Sequence, residues 1–189
     1  DMNGFPHFDR DTKQATYFPM DIFPISSTPV PPGKKGWLIL LDELTSAAKA
    51  VQAVSYKLIW DRKVGQHDLH KQVAMCAAGN LMTDKAVVNK MSTASKSRMV
   101  HFHLVAHLDS WIEWADKHDV DHRIVSFLRF KPDFLHHFDP NSDDYTFACP
   151  RTWEMLSRVI NKMTPLKVQN LPLLCGTVGE GVGREFFAY

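Results

Sequence analysis

An excess of charge of either sign is missing from this sequence. Its 22 Lys and Arg against 21 Asp and Glu leave a net charge of +1. No basic excess points to nucleic acid, and no block of like charge points to a membrane surface. Cysteine is scarce as well. Cys76, Cys149 and Cys175 stand far apart, form no Cys-x-x-Cys pair and leave an odd count, which reads as reduced thiols in a cytoplasmic protein rather than a disulfide framework. No apolar run is long enough to cross a bilayer. No secretory signal opens the chain, which starts Asp1-Met2-Asn3-Gly4-Phe5-Pro6 without an initiator methionine and reads as a sequence entered partway. Internal repeats and low-complexity segments are absent too. The remainder, 189 residues that are 44% hydrophobic and 23% charged, is ordinary globular composition for one or two compact domains.

Residues 1–35 are rich in proline, glycine and aspartate, and 25–33 reads as a loop because its prolines fix φ and remove donors. Residues 36–41 are a short apolar run bounded by polar signals. That pattern predicts a strand buried on both faces, as in a parallel sheet. A helix is expected over 45–62, with Val51, Val54 and Leu58 on one side and Thr45 or Ser46 as its cap. A second strand is expected over 72–78, a helix over 84–96 carrying Val87, Met91 and Ala94, and a third strand over 99–105. Strand, helix, strand, helix, strand predicts α/β with a parallel sheet. Beyond residue 106 the pattern turns to helices only. Leu108, Trp111, Ile112 and Ala115 share a stripe; Asp121 caps a helix stopped by Pro132; Pro150 opens another, with Trp153, Leu156, Val159 and Ile160 on one face. A domain boundary is expected there, giving 1–106 and 107–189.

The strongest chemical signal is a buried strand that ends in two acids, Asp42 and Glu43. In open α/β sheets ligands bind outside the carboxyl ends of the strands. Phosphoryl transfer needs an acid beside Mg²⁺ and a group that orients the attacking water, and Asp42 and Glu43 suit those two tasks. The plainer alternative is a core strand running into a helix start. Asn80, after the apolar 73–78, supplies a polar amide at a second strand end; alone it reads as a Gly-Asn turn, beside the acids as a hydrogen-bonding sensor. Arg98 follows a helix end, where a cation either complements the dipole or reaches a neighbouring subunit. Arg151 lies in the first turn of a helix, an unfavourable place for a cation unless an anion faces it.

In this order and spacing these elements resemble the MoxR-type branch of the AAA+ ATPases. The resemblance extends along the chain. Asp1-Met2-Asn3-Gly4-Phe5-Pro6 is similar to the segment after the family's second strand. Leu41-Asp42-Glu43-Leu44, Val51-Gln52-Ala53 and Asp61-Arg62-Lys63-Val64-Gly65 are similar to its Walker B strand and following helix. Ala77-Ala78-Gly79-Asn80 with Thr83-Asp84 resembles sensor 1, Ser126-Phe127-Leu128-Arg129-Phe130 with Phe138-Asp139-Pro140 the lid, and Pro150-Arg151-Thr152-Trp153-Glu154 sensor 2. Val178-Gly179-Glu180-Gly181 with Glu185-Phe186 resembles the C-terminal end. The resemblance implies a P-loop NTPase core of α/β type followed by a helical lid. It implies Asp42 as the Mg²⁺-supporting acid, Glu43 as the catalytic glutamate, Asn80 as sensor 1, Arg98 as an arginine finger acting on the next subunit, and Arg151 as sensor 2. It further implies ATP and Mg²⁺ as ligands, a ring (often a hexamer), chaperone-like remodelling and a von Willebrand factor A-type partner; the balanced charge and short apolar runs add the expectation of no nucleic acid and no membrane.

One departure is severe. The family carries G-x-x-x-x-G-K-[ST], whose amides and lysine hold phosphates, and the motif does not occur here. Pro31-Pro32-Gly33-Lys34-Lys35-Gly36 has similar letters but the wrong spacing, and it enters a strand. The chain therefore resembles a member without its Walker A segment. In the family's sheet the strand before that loop lies between those expected here at 73–78 and 99–105. Its loss would leave open edges, so abnormal association or capture of the missing part is expected. The alternative function is a truncated core-plus-lid interaction module that does not turn over ATP. His101, His103 and His107 lack the converging ligands and supporting shell of a metal site, and 139–143 lacks the later glycine and glutamate of a calcium loop.

Overall fold

The computed structural model describes residues 4–11, 13–81, 89–139 and 141–189. Asp1-Met2-Asn3, Thr83-Asp84, Val87 and Pro140, named above, lie outside them. The chain divides into two compact units, residues 1–101 and 102–189. Among the described residues no helix is long and apolar enough to cross a membrane.

The first unit begins with a hairpin, β1 (Phe5–Asp9) against β2 (Gln14–Phe18). Its centre is β3 (Trp37–Leu41), α1 (Lys49–Trp60) and β6 (Val73–Ala77), with the two-residue strands β4 (Lys63–Val64) and β5 (His67–Asp68) paired between α1 and β6. β3 and β6 are parallel, with Trp37 opposite Val73 and Leu41 opposite Ala77. Gly36 enters β3 at φ 151°, and a Cβ there would stand 2.1 Å from the Gln72 carbonyl oxygen, so the close approach of the two strand starts requires glycine. Trp37, Ile39, Leu41 and Met75 pack on a core of Phe23, Leu58, Val64, Leu69 and Val73. A short helix, α2 (Thr93–Lys96), closes the unit and is capped by the Ser92 hydroxyl.

Several expectations change at this point. The apolar run 36–41 is not buried on both faces: side chains alternate along a strand, and Leu38 and Leu40 point away from the core, 69% and 57% exposed. The third strand expected over 99–105 does not form. Val100, Phe102, Leu104 and Val105 are apolar and exposed, and a strand exists only where a neighbour accepts its backbone bonds. The helix expected from 45 starts instead at Lys49, and neither Thr45 nor Ser46 caps it. Of the helix expected over 84–96, the described part is helical only in α2.

The second unit is helical: α3 (Leu108–Lys117), α4 (His122–Phe130), a 3-10 turn (Pro132–Leu135), α5 (Pro150–Ile160), α6 (Leu171–Val178) and α7 (Glu180–Ala188). Trp111, Ile112 and Ala115 of α3, Ile124, Phe127 and Leu128 of α4, and Trp153, Leu156 and Ile160 of α5 meet in one core with Leu174, Val178 and Phe186. Trp153 donates its indole N–H to the Phe134 carbonyl at 2.8 Å, which satisfies its one polar atom. Asp121 caps α4 by accepting the Arg123 N–H at 2.9 Å, and Pro150 is the first residue of α5, both at the positions expected.

Candidate functional site

β3 and β6 end level. Because Leu41 faces Ala77, the chain segments leaving the two carboxyl ends start side by side. The pairing runs on past the strands: the Ala78 N–H donates to the Leu41 carbonyl at 3.0 Å, and the Leu44 N–H donates to the Ala78 carbonyl at 2.9 Å. Between those two bonds Asp42 and Glu43 make a tight exposed turn. Glu43 adopts φ 52°, a left-handed conformation that costs a non-glycine residue about 1 kcal/mol. Its N–H donates to Asp42 Oδ1 at 2.9 Å, which orients the Asp42 carboxylate.

Thr45 ties this turn to the end of β6. Its hydroxyl donates to the Asn80 carbonyl at 3.2 Å and accepts the Asn80 N–H at 3.0 Å. A Cβ on Gly79 would lie 2.5 Å from the same hydroxyl oxygen, so the two segments approach this closely only over glycine. Behind them stands Gln52 of α1, only 3% exposed. Its amide nitrogen reaches the carbonyls of Ala47 (3.2 Å), Thr45 (3.4 Å) and Asn89 (3.5 Å), while its oxygen accepts the Tyr56 hydroxyl at 2.9 Å. Asn89 adds an N–H to the Thr45 carbonyl at 2.7 Å and a side-chain bond to the Ala47 carbonyl at 3.0 Å. The acid turn is thus fixed from below by satisfied amides, the condition for a rigid polar site.

Asp42, Glu43 and Asn80 therefore lie on two stitched loops at one end of the parallel pair. Arg98 does not join them. It lies by Trp60 at the far end of α1, and a 12-residue helix is about 18 Å long. Arg151 is the second residue of α5, exposed, in the other unit. Thr45, Gln52 and Gly79 carry the geometry of the turn, although the sequence pattern does not mark them as site residues.

The donor chemistry of the turn suits Mg²⁺. Asp42 presents hard carboxylate oxygens on an exposed turn. Mg²⁺ is commonly held by one or two carboxylates and completes its shell with water and phosphate oxygens. Among the described residues no group of three His, Cys, Asp or Glu side chains is placed to hold a metal ion. No protein-family model, no curated protein and no solved structure matches this chain.

Proposed function

We propose that this chain is part of a MoxR-type AAA+ ATPase and carries the Mg²⁺- and water-handling side of its site. What supports the reading is the parallel end of β3 and β6, where an Asp-Glu pair and an Asn leave adjoining strands and are stitched together through Thr45. In this reading Asp42 holds Mg²⁺, which when bound supplies positive charge against the β- and γ-phosphate oxygens. Glu43 orients the attacking water and takes its proton, and the Asn80 amide hydrogen-bonds the γ-phosphate or that water. Arg98 serves the site of an adjoining copy, since α1 separates it from its own acids. Arg151 contributes from the helical unit as sensor 2. A core-plus-lid architecture, a ring of copies, a von Willebrand factor A-type partner, client remodelling and a cytoplasmic location belong to the same proposal.

The test is calorimetric titration of the chain with Mg·ATP. Binding that is lost in Asp42→Ala is the expected result, and in a longer chain that also carries the phosphate-holding loop Glu43→Gln should keep binding and abolish turnover. No heat up to millimolar nucleotide would remove the ATPase reading for this chain. The outward apolar pair Leu38 and Leu40 would then favour the second reading, an interaction module that works through its surface.

A further inference from the structure

The outward side of the β3–β6 pair has relief. In the parallel register Leu38 stands opposite Ala74 and Leu40 opposite Cys76, and all four residues are exposed. The leucines form a ridge along β3, and the two small residues leave a trough along β6. Alternate residues of a strand are about 6.7 Å apart, so ridge and trough repeat at that spacing. Among the described residues β3 and β6 pair only with each other, and the core packs on their opposite side, through Trp37, Ile39 and Met75. A matching row stands elsewhere in the sequence. In Val100-His101-Phe102-His103-Leu104 apolar and imidazole side chains alternate. Val100, Phe102 and Leu104 are 81%, 84% and 92% exposed, and the segment forms no helix or strand. An extended backbone puts these three on one side at the spacing of the trough and turns both histidines to the other.

We infer that residues 100–104 of one copy of the chain dock along the β6 trough of a second copy, with Phe102 over Ala74 and Cys76 and against the leucine ridge. Both features are bare within a single copy, so the contact they offer is unmade there. Each copy carries one row and one trough. Two copies can therefore exchange them about a twofold axis, which closes the assembly. Two such contacts remove on the order of 1,000 Å² from water, about what a specific interface needs. The trough suits the row because a phenyl ring fits closely only where small residues leave depth. Direct packing of two leucine faces would leave Val100, Phe102 and Leu104 uncovered, whereas the exchange covers both apolar sets and keeps His101 and His103 in water. No nucleotide enters this inference, which stands apart from the ATPase reading.

The test is sedimentation velocity of the full chain and its variants, alone and mixed. The parent chain should form dimers as its concentration rises. Phe102→Asp spoils the row and Leu40→Lys spoils the ridge beside the trough, and each alone should weaken dimerisation roughly ten-fold or more. Leu104→Asp should act as Phe102→Asp does. All three side chains are exposed, so the thermal unfolding midpoints should stay at the parent value. The deciding sample is a mixture. Phe102→Asp keeps an intact trough and Leu40→Lys keeps an intact row, so one contact of a mixed dimer is unaltered. Mixing them should restore part of the association that neither variant shows alone. A parent chain that stays monomeric, or a mixture that associates no better than its components, would overturn the inference. So would a Phe102→Asp chain that dimerises like the parent, the result expected if the leucine faces met each other directly.

Discussion

Thr45 and Asn80 exchange two hydrogen bonds through one hydroxyl, which donates to the Asn80 carbonyl and accepts the Asn80 N–H. This couples the loop carrying the two acids to the loop carrying the amide. Replacing Thr45 with Val keeps the volume but leaves both Asn80 groups without that partner. The expected cost is about 1–2 kcal/mol in the unfolding free energy. In the proposed site, Mg·ATP affinity should fall as well, because Asn80 is no longer held against the acid turn. Thr45→Ser keeps the hydroxyl and should restore most of both. Denaturant unfolding together with nucleotide titration separates the two effects, and equal behaviour of the Val and Ser variants would count against the coupling.

Gln52 gives a second expectation. Its side chain is buried with both ends satisfied, reaching three carbonyls and accepting the Tyr56 hydroxyl. Gln52→Leu fills the same space and strands those partners, so it should destabilise the chain by roughly 1–3 kcal/mol, although Leu is the more apolar residue. A thermal unfolding midpoint unchanged or raised by Gln52→Leu would show that the amide network carries little weight.

The contrast between Gln52 and Val51 shows how far the sequence could be read. A hydrophobic stripe through Val51, Val54 and Leu58 is a natural reading of α1, yet Val51 is exposed and Gln52, Ser55 and Leu58 face inward. Periodicity detects apolar faces. It cannot see that a distant loop supplies carbonyls that make a buried amide favourable. The strand that ends before Asp42, the Asp121 cap and Pro150 at the start of α5 were legible because each depends on neighbours a few residues away. The bond from Thr45 to Asn80 spans 35 positions and left no local trace. Residues 99–105 and the outward side of β3 were misread for a related reason. Apolar residues mark a segment that can be covered, and nothing in them states whether a covering element is present.

Asp121 gives the second unit a pH dependence of definite sign. The residue is 5% exposed, and its carboxylate caps α4 and takes two bonds from the Arg123 guanidinium, at 2.9 and 2.6 Å. Arg123 also donates to the Met163 and Ile160 carbonyls, and the Asp121 N–H donates to the Ser157 hydroxyl, so the pair joins the start of α4 to the end of α5. The guanidinium hydrogen bond holds the Asp121 carboxyl below its ordinary value, against the opposing effect of burial. A carboxyl whose folded pKa is depressed binds its proton more readily unfolded. Its stabilisation is therefore complete above the unfolded value, near 3.9, and is lost as pH falls through the folded value. Unfolding free energy of the parent chain should thus drop on acidification below about pH 4, and Asp121→Asn should remove that part of the slope. At neutral pH the Asn variant should be less stable by roughly 2–4 kcal/mol, since Arg123 keeps its half-buried charge without the carboxylate. Parallel pH profiles for parent and variant would refute this account.

Leu38 and Leu40 bear on self-association. They project from the side of β3 opposite the Phe23, Leu58 and Val73 core, beside the exposed Ala74 and Cys76 of β6. Parallel sheets are ordinarily covered on both sides, and an exposed apolar sheet face invites contact with another chain. Neither leucine belongs to the core, so changing Leu40 to Lys should shift the unfolding free energy by no more than about 0.5 kcal/mol. The same change should lower concentration-dependent association in sedimentation, because a lysine there must be desolvated before the face can be covered. Val73→Lys, on the packed side of the same sheet, is the contrasting variant and should unfold the first unit. If Leu40→Lys destabilised the chain as Val73→Lys does, the leucine side would be an interior already covered within one copy. If Leu40→Lys left both stability and association unchanged, that side would be ordinary solvent-facing surface, and association would have to be sought at the edges of β3 and β6.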